Sequence, residues 1–290
     1  MYVLKKWLSL IVCLSLLLTL AFSLPQTTAV ADESEYALSP YETLITDENG
    51  NELVLAVYPS PPPSKLRMVM AAAEEDIPEV DIAGVANSIS NVPAFNWSYG
   101  CSATSAAMLF GYYDRIGYSN MYAGPTIGGV CPLNNSDWGY GEMPLSATHQ
   151  GYDGLATRGH VDDYWVSSLS GLPDPYISNW AEHTQGDCTG DYMGTNQWKY
   201  GNIDGSTTFY WYDSGSALYD YTGTEPTYRD GCHGMNLFAD SRGYTVVSNY
   251  TQLIQGQGTN PALGFTFAQY MAEIDAGRPV LVQLEGHTVL

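Results

Sequence analysis

The chain is poor in basic residues: 10 Lys and Arg stand against 31 Asp and Glu, for a formal net charge of -21 over 290 residues. A protein so charged does not grip nucleic acid or an anionic membrane by general electrostatics. Long hydrophobic runs are scarce too, and only the first 24 or so residues have the makings of a membrane segment. Residues 118–262 show no fixed-period repeat, no EF-hand pattern appears, and the gap between His149 and His160 is no recognised zinc spacing. What is abundant excludes disorder: 45% of residues are hydrophobic and 13% aromatic, with 23 Tyr and 29 Gly. The length suits one large domain, or one domain with a small appendage.

Residues 1–31 read as an export signal. Lys5 and Lys6 precede an apolar stretch from Trp7 to Leu20, and Ala29-Val30-Ala31 forms a small-x-small cleavage pattern before Asp32. A cut after Ser23 and a retained single-span anchor are the alternatives, the latter disfavoured because the apolar stretch is short and no basic cluster follows it. Cleavage removes two lysines and no acid, so the expected product is an acidic, secreted or cell-surface protein with no stable membrane insertion. Cys13 leaves with the signal. Cys101, Cys131, Cys188 and Cys232 remain, enough for two disulfides in any of three connectivities. If Cys101 is a nucleophile, the other three hold one disulfide and one thiol.

Along the mature chain, Thr43 to Thr46 and Leu53 to Tyr58 flank Asp47-Glu48-Asn49-Gly50-Asn51 and predict a β-hairpin. Pro59-Ser60-Pro61-Pro62-Pro63-Ser64 reads as a stiff linker. Residues 32–90 are thus a β appendage, a pro-region or a spacer, and 91–290 the main domain. A helix is expected from Cys101 to Asp114, after the tight turn at Gly100. Residues 118–262 are Gly-, Tyr-, Asp- and Trp-rich, with short strands between turns. A second helix is expected from Thr266 to Ala276, with Thr266 and Gln269 as a capping box and Gly277 and Pro279 ending it. Pro279 to Leu284 then reads as a buried strand, and His287-Thr288-Val289-Leu290 opens another.

A thiol at a helix N-terminus lies near unpaired backbone N–H groups, which favour the thiolate. Histidine on a strand elsewhere in the chain suits the role of its proton acceptor, and His287 is so placed. The Cys101 N–H would supply one oxyanion donor and the Asn96 side chain a second. Catalytic candidates are therefore Cys101, His287 and Asn96.

The segment Trp97-Ser98-Tyr99-Gly100-Cys101-Ser102-Ala103-Thr104-Ser105-Ala106-Ala107-Met108, with Gly111-Tyr112-Tyr113-Asp114 after it, resembles the nucleophile helix of the C39-like branch of papain-like cysteine peptidases. Gly277-Arg278-Pro279-Val280 through Gly286-His287-Thr288-Val289 resembles that family's histidine strand. The resemblance implies an α+β, papain-like fold in which a helix bearing the cysteine packs on an antiparallel sheet bearing the histidine. It also implies hydrolysis of peptide or other amide bonds, a peptide or protein substrate, and no metal or organic cofactor. The family usually places an Asn or Asp beyond the histidine to orient the imidazole. Here the sequence stops three residues after His287, so a truncated chain is expected, with its third member beyond Leu290. Counting puts the family's oxyanion glutamine at position 95, which holds Phe95, and Asn96 enters as an offset candidate. The long interval from Cys101 to His287 implies an insertion over residues 130–250.

Blander readings stand beside these. The same Cys/His chemistry would serve a peptidoglycan amidase or transferase, and the scaffold alone would serve a non-catalytic binding protein. His149, His160, Asp162 and Asp163 lie near one another in sequence, but at no spacing typical of a metal site. Cys232-His233 reads as an adjacent pair on an extended segment, whose side chains would point apart. The tryptophans Trp138, Trp165, Trp180, Trp198 and Trp211 are expected mainly in core packing, with a sugar- or peptide-binding platform as the minority reading.

Overall fold

A computed structural model describes residues 38–58, 87–122, 129–138, 142–147, 188–203, 205–284 and 286–290. The signal segment, the Pro-rich linker, the His149/His160/Asp162/Asp163 group and Trp165 and Trp180 lie outside the described residues. The described chain mixes helices with small antiparallel sheets. None of its helices is long and apolar enough to cross a membrane.

The hairpin forms where the turn chemistry puts it, with β1 at Glu42–Thr46 and β2 at Glu52–Tyr58. Asp47 Oδ1 accepts the N–H groups of Asn49 and Asn51 at 2.9 and 2.8 Å, and Gly50 takes the left-handed φ of 84° that the turn requires. Hydrogen bonding, chiefly from the Asn51 side chain, holds the Asp47 carboxyl below its usual range.

β2 also pairs antiparallel with β3, Thr207–Tyr212, giving the order β1-β2-β3. The hairpin, read from sequence as an appendage, thus shares its sheet with the main part of the chain. Alternation along the strands gives this sheet two apolar faces. Val54, Ala56, Phe209 and Trp211 enter the main core, while Leu53 and Tyr210 join Leu218 in a smaller one. This is why β2 reads as a nearly continuous apolar run.

Helix α1, Cys101–Arg115, supplies Ala106, Ala107 and Phe110 to the main core. Phe110 meets Phe238 of α3, Gly231–Ser241, with ring centroids 4.6 Å apart. Such a tilted aromatic pair is worth about 0.5–1.5 kcal/mol beyond the area it buries. Between them comes the short helix α2, Thr189–Met193, packed so closely on α3 that a Cβ added to Gly234 would lie 2.4 Å from Met193 Cα. Cys232 and His233 therefore sit on the first turn of a helix, not on an extended segment. Asp230 caps that helix, its side-chain Oδ1 accepting from the Cys232 N–H at 3.3 Å.

Two strands, β4 at Leu218–Tyr219 and β5 at Tyr250–Thr251, form a separate pair. Helix α4, Phe267–Asp275, carries the expected capping box of Thr266 and Gln269. It buries no residue fully, and its C-terminal turn is tied to α1 by the Tyr112 hydroxyl, which donates to Gly277 O at 2.7 Å. After it, β6 at Val282–Leu284 pairs antiparallel with β7 at His287–Val289.

Candidate active site

Cys101 is the first residue of α1 because the chain turns sharply just before it. Tyr99 has a φ of 52° and Gly100 a φ of 145°. A non-glycine residue in the left-handed region, as Tyr99 is, costs of order 1 kcal/mol and persists only where its surroundings enforce it. At Gly100 a Cβ would lie 2.5 Å from Thr195 Cγ2 and 2.9 Å from Gly205 O, so only glycine fits. Buried hydroxyls hold the turn from behind. Thr104 Oγ1 accepts from Ser98 N–H at 3.0 Å and donates to Gly100 O at 2.7 Å, and Ser146 Oγ donates to Ser98 O at 2.9 Å.

The electrostatic character of this helix start is left intact. Gly100 provides no side-chain cap and the first turn holds no acidic residue, so neither of these common devices offsets the partial positive charge of the helix N-terminus. The thiol itself is 4% exposed.

Strand β7 lies directly against that first turn. Thr288 N–H donates to Cys101 Sγ at 3.2 Å, Thr288 Oγ1 and Ser102 Oγ are 2.8 Å apart, and Ser105 Oγ donates to Thr288 O at 3.1 Å. Both backbone groups of Thr288 therefore point to α1, away from β6. That makes Gln283↔Thr288 the non-hydrogen-bonded pair of the ladder. The outer edge of β7 is completed by side chains of a helix where a further strand would otherwise stand.

Of the three candidates, Cys101 and His287 are brought to the same helix–strand contact: the residue bonded to the sulfur immediately follows His287. The imidazole is half-buried and leaves β7 on the face opposite Thr288 Oγ1. Asn96 is fixed through its backbone, its N–H donating to Asn135 Oδ1 at 2.7 Å and its carbonyl accepting from Ser98 Oγ at 3.2 Å.

Sequence reasoning gave no role to Ser102, Ser105, Thr288 or Gln283. The available signal was the run of hydroxyl residues on a helix start otherwise made of alanines. Gln283 stands across from Thr288 on the same face, and its buried Oε1 has no hydrogen-bond partner among the described residues.

The other cysteines differ in kind. None of Cys101, Cys131, Cys188 and Cys232 is in a disulfide, so the expected bridge among the last three is not formed. Each of these three is instead committed to local packing or hydrogen bonding. Burial, aided by Asp114, pushes the Cys131 thiol up to about 12. Cys232 Sγ donates to Asn249 Oδ1 at 2.8 Å, and burial together with Asp230 and Asp220 pushes it well up. Cys188 Sγ accepts the Asp191 N–H at 3.4 Å as the cap of α2. His233 is likewise engaged, by Asp220 at 2.9 Å. Among the described residues no three His, Cys, Asp or Glu side chains are grouped to hold a metal ion. No family model, curated protein or solved structure matches the chain.

Proposed function

We propose that the chain is an exported cysteine peptidase of the C39-like, papain-like type, hydrolysing peptide bonds through Cys101 and His287. The observation that carries this reading is the hydrogen bond from Thr288 N–H to Cys101 Sγ, which puts a helix-N-terminal thiol against the strand of the histidine. Both the helix start and the donated N–H favour negative charge on sulfur. In the proposed reaction His287 holds the proton of Cys101, and the thiolate adds to the substrate carbonyl carbon. The resulting oxyanion is met by the Cys101 N–H and the Asn96 side-chain amide. Collapse breaks the C–N bond as His287 passes its proton to the departing amine, leaving a thioester. Water, deprotonated by His287, then attacks the thioester carbonyl, releasing the acid and restoring the thiol.

The test is amide hydrolysis by the purified chain, with unfolded protein and purified peptidoglycan as parallel substrates. Cleavage of unfolded protein that Cys101→Ala and His287→Ala each reduce by at least about 10³-fold is the expected result. Cleavage of peptidoglycan alone would reassign the substrate to cell-wall stems. Unchanged activity in Cys101→Ala, or an iodoacetamide reactivity of Cys101 at pH 6–7 no greater than that of an ordinary thiol, would overturn the enzyme reading.

A further inference from the structure

We infer that Thr288 is the positioning residue of the Cys101 thiolate, anchored for that task by the hydroxyls of Ser102 and Ser105. The inference rests on the Cys/His reading above and adds to it the means by which the sulfur is held.

Three separate groups of Thr288 reach α1: its N–H meets Cys101, its Oγ1 meets Ser102 and its carbonyl meets Ser105. The three helix positions are i, i+1 and i+4, one face of the first turn and a half. All these contacts are dry. Ser102, Ser105 and Thr288 are 6%, 1% and 3% exposed, so each hydroxyl depends on its partner. Buried hydroxyls are a costly way to pack a helix on a strand when Ala and Val would fill the space. Their value lies in direction. The Oγ1–Oγ contact and the Ser105 bond fix Thr288 on both sides of its Cα, which leaves the N–H one heading, toward the sulfur. An N–H donor in a water-poor site stabilises an adjacent anion more than it stabilises the neutral thiol.

The same anchorage sets the backbone of the preceding residue, so the strand position from which the imidazole departs is fixed by the same two serines. Gly286, at φ 76°, gives the chain its turn into β7 without contributing a side chain. Thr288 and the two serines thus act on both members of the pair without touching substrate.

The experiment is the pH dependence of iodoacetamide alkylation at Cys101 in the full chain, read by mass spectrometry of the peptide containing it. Wild type is compared with Ser102→Ala, Ser105→Ala, Thr288→Val and Thr288→Ser, and melting curves are taken in parallel. In wild type the expected alkylation midpoint lies below the ordinary thiol value of about 8.5. Ser102→Ala and Thr288→Val are expected to move it up by about one pH unit, and Ser105→Ala by a smaller amount, while Thr288→Ser keeps the wild-type midpoint. A loss of packing alone would lower the melting temperature and leave the midpoint of the folded fraction in place. Folded variants whose midpoints coincide with wild type overturn the positioning inference and leave the peptidase reading standing. A wild-type midpoint at the ordinary value, with no amide hydrolysis, overturns both. If Thr288→Val does not fold, Ser105→Ala decides, since it leaves the Oγ1–Oγ contact in place.

Discussion

Asp230 shows how much a single side chain is asked to do by its surroundings. It is 2% exposed, and burial, partly opposed by backbone N–H donors from Cys232, His233 and Tyr210, raises its carboxyl from 3.8 to about 8. A carboxyl raised in the folded state binds its proton more tightly there than in the unfolded chain. Its stabilising contribution is therefore complete below about pH 4 and is lost as pH rises through about 8. Asp230→Asn keeps an acceptor for the Cys232 N–H and removes the titration. Urea unfolding from pH 4 to 9 should show wild type losing stability relative to the variant over that window. Parallel curves for the two proteins would mean that the carboxyl is not held neutral in the fold.

At the scale of the element, α3 approaches α2 closely. A methyl group at Gly234 would lie 2.4 Å from both Met193 Cα and Tyr192 O, and neither is the movable end of a side chain. Alanine is the better helix former by about 1 kcal/mol, but the two helices would have to part to admit it. Gly234→Ala should therefore destabilise the protein by about 1–3 kcal/mol, seen as a lower urea midpoint. An unchanged or higher midpoint would show that the helices separate freely. The elements most legible in sequence were those whose cause is local. The β1–β2 hairpin follows from Asp47 and Gly50, α4 from the Thr266/Gln269 box, and α1 from its alanines. Helix α3 is hidden in the sequence because Gly231 and Gly234 dilute its helix propensity, and their reasons for being there are distant in the chain: Gly231 makes room for Thr207 and Phe209 of β3, and Gly234 for Tyr192 and Met193 of α2. The sheet partner of the hairpin was equally hidden, since Val54 meets Trp211 across more than 150 residues. Of the candidate site, Cys101 and His287 are candidates on their neighbours in sequence alone. The contacts of Thr288 with Cys101, Ser102 and Ser105 are not legible there, because each is a pairing of distant residues.

For the whole molecule the governing quantity is charge. With 31 acidic residues against 10 basic ones, most carboxylates have no cation to meet, and the compact state concentrates their repulsion. Screening should relieve it. Raising NaCl from about 10 mM to about 0.5 M is expected to stabilise the protein by on the order of 1 kcal/mol, or about 2–4 °C in melting temperature. A melting temperature that falls with salt would mean that ion pairs such as Arg229–Glu225 and Arg278–Glu273 outweigh the net repulsion. The contact between Thr288 and Cys101 has a consequence in time as well as in space. Its partners are 187 positions apart, so closing it carries the loop entropy of most of the chain, and nothing local brings it about. During refolding, then, the local hairpin and helices can form while the sulfur is still ordinary. The onset of the thiolate reactivity proposed for it would mark the arrival of native topology, making alkylation of this one thiol a clock for the completion of the fold.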